Sequence, residues 1–195
     1  MNLPEYAELH CLSNFTFLRG ASRPEELVER ANTLKYNSLA ITDECSMAGV
    51  VLAHEAVKRL PPRYVGHTEV LLKLIIGTEI TLEDGLKLVL LATDRKSYGH
   101  LCALITRGRM QAKKGSYRLT RADLNDGLPD CLALWVPGTQ PEPDQARFVA
   151  KLFPCRAWIA IGLFNGPNDC ARLSTLRELG KSTGLPLVAA SSASE

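Results

Sequence analysis

The sequence contains no long apolar segment and no sign of a secretion signal. No stretch approaches the roughly 20 consecutive apolar residues that are needed to span a bilayer. The first eight residues include acids where a signal peptide would have an apolar run. We therefore expect a cytoplasmic protein without a membrane partner.

Closely spaced cysteine pairs and a strong net charge are also absent. The six cysteines are widely separated and form no C-x-x-C pair, so we expect neither a zinc knuckle nor a disulfide framework. The formal net charge is only +2 over 195 residues, which excludes a strong overall attraction to nucleic acid. Any contact with nucleic acid must come from a local surface or from a larger assembly.

Three common catalytic signatures are missing as well. The chain has no G-x-S-x-G, no G-x-x-x-x-G-K-[ST] and no G-x-G-x-x-G, so acyl transfer, nucleotide hydrolysis and hydride transfer have no positive support. Histidine is scarce, with four residues in the chain. We expect His54 and His100 to be surface or partly packed residues of helices rather than metal ligands. The pattern around His67 predicts no structure.

Apolar strands alternate with amphipathic helices along the chain. Predicted strands are 6–12, 39–42, 70–76, 79–82, 86–92, 131–136, 157–161 and 184–190, and 61–69 is expected to be irregular. Glu83-Asp84-Gly85 predicts a hairpin turn. Strands of this kind favour a parallel sheet, either covered on both faces or closed into a barrel. The length suits one domain. The alternation of strands and helices predicts that its fold class is α/β.

Four residues with useful chemistry lie near the ends of predicted strands: His10, Asp43, Glu44 and Glu79. A barrel would gather them at one mouth, which favours a barrel over an open sheet. Imidazole and carboxylates together suit Mn²⁺, Zn²⁺ or iron, and a pair of such ions hydrolyses phosphate esters. A dinuclear centre needs more ligands than these four. A second interpretation of Asp43 is that it caps the turn or helix that follows it.

The segment from Arg107 to Lys114 is basic. A run of this kind is most often a solvated face or a mobile loop, although its charge could also contact a phosphate backbone. The sequence leaves both interpretations of the Lys113-Lys114 loop open.

Five segments together resemble one known family: 8–22, 24–28, 39–49, 76–79 and 184–190. They are similar to the N-terminal PHP domain of bacterial C-family DNA polymerases. Leu-Ser-Asn-Phe at 12–15 and Thr-Asp-Glu-Cys at 42–45 most resemble the error-prone, damage-tolerant branch. The resemblance implies a distorted (β/α)7 barrel of the PHP type over residues 1–190. Residues 191–195 would then be a polar tail or the end of a shortened chain.

The resemblance also implies where metal ligands would lie. Metal-binding PHP domains carry His-x-His on the first strand, and the matching positions here are His10 and Leu12. The next ligand position corresponds to Arg19. The Thr-Asp-His motif has become Thr-Asp-Glu, ending at Glu44, and Glu79 keeps the acid of the third motif.

The two late motifs depart further from the family pattern. Positions 161–164 read Ile-Gly-Leu-Phe, and Ser-Ser-Ala-Ser at 191–194 replaces an expected Asp-x-His. The implied residual metal ligands are His10, Glu44 and Glu79, and the implied site-lining residues are Leu12, Arg19 and Asp43. We expect no catalytic residue, no tightly bound cofactor and at most a single Mn or Zn ion.

The function that the resemblance implies is a structural and interaction module of an error-prone DNA polymerase in translesion synthesis. Its expected partners are the remainder of the polymerase chain, DNA through the full-length enzyme, other translesion proteins and the sliding clamp. One alternative is a metal-dependent phosphoesterase or 3'-5' exonuclease that uses the residual ligands. The other is a complete small protein of unrelated function.

Overall fold

A computed structural model describes residues 6–65, 68–125, 127–163 and 166–190 of the chain. The helices are α1 (Pro24–Thr33), α2 (Val50–Arg59), α3 (Arg95–Met110), α4 (Pro143–Leu152) and α5 (Asp169–Thr183), with a short 3-10 helix at Arg121–Leu124. The strands are β1 (Ala7–Cys11), β2 (Ser38–Ile41), β3 (Arg63–Val65), β4 (Thr68–Val70), β5 (Lys73–Thr81), β6 (Lys87–Ala92), β7 (Cys131–Trp135), β8 (Ala157–Ile161) and β9 (Leu187–Ala189). His67 and the predicted tail at 191–195 lie outside the described residues.

Seven strands form one mixed sheet in the order β1-β2-β5-β6-β7-β8-β9. Strands β1, β2 and β5 are parallel, and so are β7, β8 and β9. Strand β6 runs antiparallel to both of its neighbours. The expected parallel arrangement is therefore interrupted by one strand, because the predicted turn at Glu83–Gly85 does form a hairpin between β5 and β6.

The sheet curls around a single apolar interior. Side chains from all seven strands meet in one cluster, represented in chain order by Leu9, Ala40, Ile75, Val89, Leu134, Ala160 and Val188. One face of every strand therefore points to the same interior, as in a barrel. The helices cover the outer face, α1 and α2 through the cluster around Val28 and Ala53, and the others through a larger cluster around Trp135 and Phe153. This arrangement confirms the predicted distorted α/β barrel.

Strand β5 is longer than predicted. The apolar runs at 70–76 and 79–82 were predicted as separate strands, whereas Lys73–Thr81 is continuous. Gly77 lies in its middle, where a Cβ would come within 2.6 Å of the carbonyl oxygen of Leu90 and 2.7 Å of Leu91 Cδ2. The missing side chain lets β5 approach β6 closely at this point. In addition, the predicted irregular segment at 61–69 contains β3, which pairs antiparallel with β4.

Helix α3 includes part of the basic segment. It begins at a cap in which the Ser97 N–H donates to Asp94 Oδ1 at 2.7 Å, and it continues to Met110.

We call the end of the sheet that carries the carboxyl ends of β1, β2 and β5 the mouth. Since β6 runs antiparallel, α3 starts at the opposite end and returns to the mouth. None of the helices among the described residues has the length and apolar character to cross a membrane.

Gly77→Ala should destabilise the chain, because the added Cβ would meet a backbone oxygen at 2.6 Å. We expect a loss of about 1–3 kcal/mol in the free energy of unfolding, measured by urea denaturation. Gly99→Ala is the matched control. A Cβ at Gly99 in α3 meets nothing within 4 Å, so that change should stabilise the chain by about 0.5–1 kcal/mol. Equal effects of the two changes would contradict the close packing of β5 on β6.

Candidate functional site

The hydrogen bonds between β2 and β5 continue past the end of β2 and place two acids side by side. The Glu79 N–H donates to the Thr42 carbonyl at 3.0 Å, and the Cys45 N–H donates to the Glu79 carbonyl at 2.8 Å. Glu44 therefore lies opposite Glu79 in a parallel bridge. The pairing of backbone groups alone brings both carboxylates to the mouth.

Glu79 is a fully buried carboxylate surrounded by positive and donor groups. Its Oε2 lies 2.8 Å from His10 Nε2, and its Oε1 lies 2.5 Å from Arg19 Nη1 and 3.6 Å from Lys87 Nζ. Burial by itself raises the pKa of Glu79, but the hydrogen bonds from His10 and Arg19, together with the charge of Lys87, outweigh it and lower the pKa to about 2. Glu79 is therefore held as an anion.

Arg19 joins Glu79 to Glu44. Its Nη1 donates to Glu44 Oε2 at 2.7 Å and to Glu79 Oε1 at 2.5 Å, and the bond to Glu79 is the main reason why its pKa is raised. The other Glu44 oxygen, Oε1, accepts from the Tyr117 hydroxyl at 2.8 Å. Burial, with this hydrogen bond, raises the pKa of Tyr117 above its usual range. A guanidinium group thus lies between the two carboxylates.

Asp43 fastens the loop between β1 and α1. Its Oδ1 accepts from the Ser13 N–H at 2.7 Å and from Thr16 Oγ1 at 2.8 Å, and its Oδ2 accepts from Ser13 Oγ at 2.7 Å. The side chain is buried. Gly49 lies against it, since a Cβ there would come within 2.7 Å of Asp43 Oδ2. All three bonds go to Ser13 and Thr16, so Asp43 organises the loop that precedes it in the chain. The alternative that Asp43 caps the helix after it is not supported, because the N-cap of α2 is Gly49 and no side chain caps it.

The half of the mouth formed by β7, β8 and β9 contains a cavity rather than paired carboxylates. Leu12 is buried. A cavity of about 350 Å³ is lined by His10, Gly162 and other residues at the ends of these strands. Arg172 borders this cavity and donates to the carbonyl oxygens of Pro137 and Gly138, both at 2.8 Å. The guanidinium group of Arg172 therefore holds a loop in place.

Three residues that contribute to the mouth were missed by sequence reasoning: Lys87, Arg109 and Tyr117. Arg109 Nη2 donates to the Cys45 carbonyl at 3.1 Å. They come from β6, from the end of α3 and from the loop that follows, and nothing in their local spacing indicates that they reach the mouth.

Two histidines away from the mouth lie where they were expected. His54 is exposed, and His100 is half-buried with Nδ1 3.1 Å from the Pro129 carbonyl. Within the described ranges no group of three or more His, Cys, Asp or Glu residues is placed to hold a metal ion.

Comparison with known proteins shows the family. The PHP domain family matches residues 8–159. An error-prone DNA polymerase of Dechloromonas aromatica (strain RCB) is 54% identical over 194 residues, which make up 97% of this chain and 18% of that polymerase. The error-prone DNA polymerase of Aromatoleum aromaticum is 53% identical over 194 residues, 96% of this chain and 17% of that polymerase. An amidohydrolase from Chromobacterium violaceum, solved with sulfate and without metal, shares the fold with a TM-score of 0.61 at 15% identity, over 95% of this chain and 86% of that one.

The chain belongs to the PHP domain family, and the barrel is of the PHP type. It is similar to the N-terminal region of error-prone DNA polymerases, which confirms the resemblance seen in the sequence. The chain spans less than a fifth of the length of these curated relatives.

Glu79→Gln should remove much of the acid sensitivity of the fold. The pKa of Glu79 falls from its usual 4.5 to about 2 on folding, so its ionisation stabilises the fold above pH 4.5 and this contribution is lost as the pH falls toward 2. The contribution is worth about 3 kcal/mol. The free energy of unfolding, measured between pH 6 and 2, should therefore fall more steeply for the unmodified chain than for the variant. Glu83→Gln, at an exposed ion pair with Arg118, should keep the original slope. Parallel curves for Glu79→Gln and the unmodified chain would contradict the pairing.

Asp43→Asn should destabilise the chain by about 2–4 kcal/mol, because buried charge-assisted hydrogen bonds are lost. The matched control is Asp123→Asn. Asp123 Oδ2 accepts from the Thr120 N–H and Oγ1, both at 2.8 Å, at a partly exposed turn, so its loss should cost only about 1 kcal/mol. Urea denaturation measures both, and an equal cost would show that burial of the Asp43 bonds is unimportant.

Proposed function

We propose that the chain is the N-terminal PHP domain of an error-prone DNA polymerase and supports translesion synthesis as a structural and interaction module. The observation that carries the proposal is the Arg19 guanidinium, which donates to Glu44 at 2.7 Å and to Glu79 at 2.5 Å. A cation supplied by the chain itself thus lies between two carboxylates that the family resemblance implies as metal ligands.

The side chains at the mouth do not fit a hydrolytic metal pair. The guanidinium group remains protonated at any physiological pH and repels a divalent cation. It satisfies the carboxylate oxygens but cannot lower the pKa of a water molecule as a bound metal does. Leu12 offers no ligand atom, and Glu79 already pairs with His10 and Lys87. A single Mn or Zn ion on His10, Glu44 and Glu79 would have to displace Arg19, so we propose no bound metal and no catalytic residue.

Similarity to the two polymerases supports the rest of the proposal. The alignment covers 18% of the first of them, so polymerase chemistry would reside in the remaining length of such a protein. The proposed domain extends over residues 1–190. Its principal partner would be the remainder of the polymerase chain, in the cytoplasm, with DNA bound by the full-length enzyme. Other translesion proteins and the sliding clamp are further proposed partners.

A metal-dependent phosphoesterase or 3'-5' exonuclease is the competing function. The contact of His10 with Glu79 at 2.8 Å, next to Glu44, is the feature that favours it. The two functions differ in a measurable property, since hydrolysis requires a stable metal centre and a supporting module does not.

Arg19→Ala should expose the difference. We expect a loss of about 3 kcal/mol in the free energy of unfolding, because Glu79 stays buried without one of its two hydrogen-bond partners. Added Mn²⁺ should then raise the unfolding temperature of the variant but not of the unmodified chain. Arg59→Ala removes an exposed arginine 4.0 Å from Glu55, so it should change stability by less than about 0.5 kcal/mol and should create no response to Mn²⁺.

Metal content and primer digestion test the proposal directly. The unmodified chain should hold no stoichiometric Mn²⁺ or Zn²⁺ and should not shorten a DNA primer. Two bound equivalents of metal together with primer digestion, both abolished by Glu79→Ala, would overturn it. Reading the gene beyond Glu195 tests the polymerase assignment, since polymerase motifs should follow and a stop codon would favour an unrelated small protein.

A further inference from the structure

Two exposed loops are fastened to opposite oxygens of the same carboxylate. We call residues 13–20 the aromatic loop and residues 111–116 the basic loop. Arg19 of the aromatic loop donates to Glu44 Oε2 at 2.7 Å, and Tyr117, which follows the basic loop, donates to Glu44 Oε1 at 2.8 Å. Arg109, which precedes the basic loop, donates to the Cys45 carbonyl. Both loops therefore lie at the rim of the mouth next to Glu44.

The aromatic loop is held by hydrogen bonds and presents apolar side chains outward. Ser13 and Thr16 are buried and bonded to Asp43, and the Gly20 N–H donates to the Thr16 carbonyl at 2.9 Å. Three large apolar side chains of the same loop are exposed: Phe15 (43%), Phe17 (84%) and Leu18 (88%). Their exposure is therefore imposed by a fixed loop conformation.

The basic loop lies in a segment with uncompensated positive charge. Residues 107–121 contain six basic side chains and no acid. Two of these are compensated, Arg118 by Glu83 and Arg121 by two aspartates. Arg109 donates only to backbone carbonyl oxygens. In the described part of the chain, Lys113 and Lys114 are exposed and form no ion pair.

We propose that the aromatic and basic loops bind single-stranded DNA. Arg109, Lys113 and Lys114 would contact phosphates, and bases would stack on Phe15 and Phe17, which is the combination that single-stranded nucleic acid requires. Exposed phenyl rings distinguish this surface from one that only follows a duplex backbone, and the uncompensated charge distinguishes it from an apolar protein contact. The chain as a whole carries only +2, so the attraction is confined to this rim.

This binding goes beyond the supporting role proposed above, and only the choice of DNA over RNA rests on that proposed function. Binding of DNA by the two loops does not depend on whether the mouth binds a metal ion, because the loops are exposed in either case. The two proposals therefore fail independently.

Fluorescence anisotropy of a labelled oligothymidine of about 20 nucleotides, titrated with the 195-residue chain at several salt concentrations, tests the proposal. The double change Lys113→Ala and Lys114→Ala should lower the affinity about tenfold and reduce the slope of log K against log salt by about 1.4, since each lost phosphate contact on a single strand contributes about 0.7. Phe17→Ala should lower the affinity about tenfold and leave the slope unchanged. The altered side chains are exposed, and circular dichroism checks that the variants fold.

The matched control removes two lysines from the end of the barrel opposite the mouth. Lys151 and Lys181 are exposed in the last turns of α4 and α5, and their joint replacement by Ala should leave affinity and slope nearly unchanged. Equal weakening by the control pair would overturn the proposal, and so would the absence of binding at low salt. An unchanged affinity for Phe17→Ala would overturn the proposed stacking of bases on the aromatic loop. Binding of an RNA oligonucleotide but not of DNA would also overturn the proposal.

Discussion

The buried charge of Glu79 is the constraint on which the mouth depends. A carboxylate removed from water costs several kcal/mol unless charges and hydrogen-bond donors replace the lost hydration. His10, Arg19 and Lys87 supply that replacement from β1, the loop after it and β6. The site therefore links parts of the chain that are far apart in sequence, and loss of any one of the three partners leaves the others around an incompletely compensated anion.

An arginine meets this requirement in a different way from a metal ion. The guanidinium group is covalently part of the chain and binds carboxylates through directed hydrogen bonds, so the charge balance of the mouth does not depend on metal supply. Arg19 reaches Glu44 and Glu79 because Asp43 holds the loop that carries it. The adjacent residues Asp43 and Glu44 therefore have complementary roles. Asp43 holds the loop in place, and Glu44 accepts a hydrogen bond from Arg19 of that loop.

Sequence reasoning was accurate wherever local pattern determines structure. The alternation of apolar strands and helices predicted an α/β sheet, and the family resemblance implied that it forms a barrel. The positions of His10, Glu44 and Glu79 at strand ends favoured a barrel too, and the structure does bring these residues to one mouth. The turn predicted at Glu83–Gly85 does form the hairpin that reverses β6, whereas the strand pattern as a whole favoured a parallel sheet. Contacts between residues that are far apart in the chain produce no local sequence pattern. Tyr117 meets Glu44 across 73 positions of sequence, and no periodicity records such a contact.

The reversal of β6 has a consequence for charge as well as for topology. If β6 had been parallel to its neighbours, the helix after it would have run away from the mouth and carried its basic end to the opposite side of the barrel. Because β6 is antiparallel, α3 ends at the mouth, and Arg109 reaches the Cys45 carbonyl there. Three positive side chains, Arg109, Lys113 and Lys114, therefore lie beside a loop that exposes Phe17. A chain with almost no net charge acquires a concentrated positive rim through the direction of a single strand.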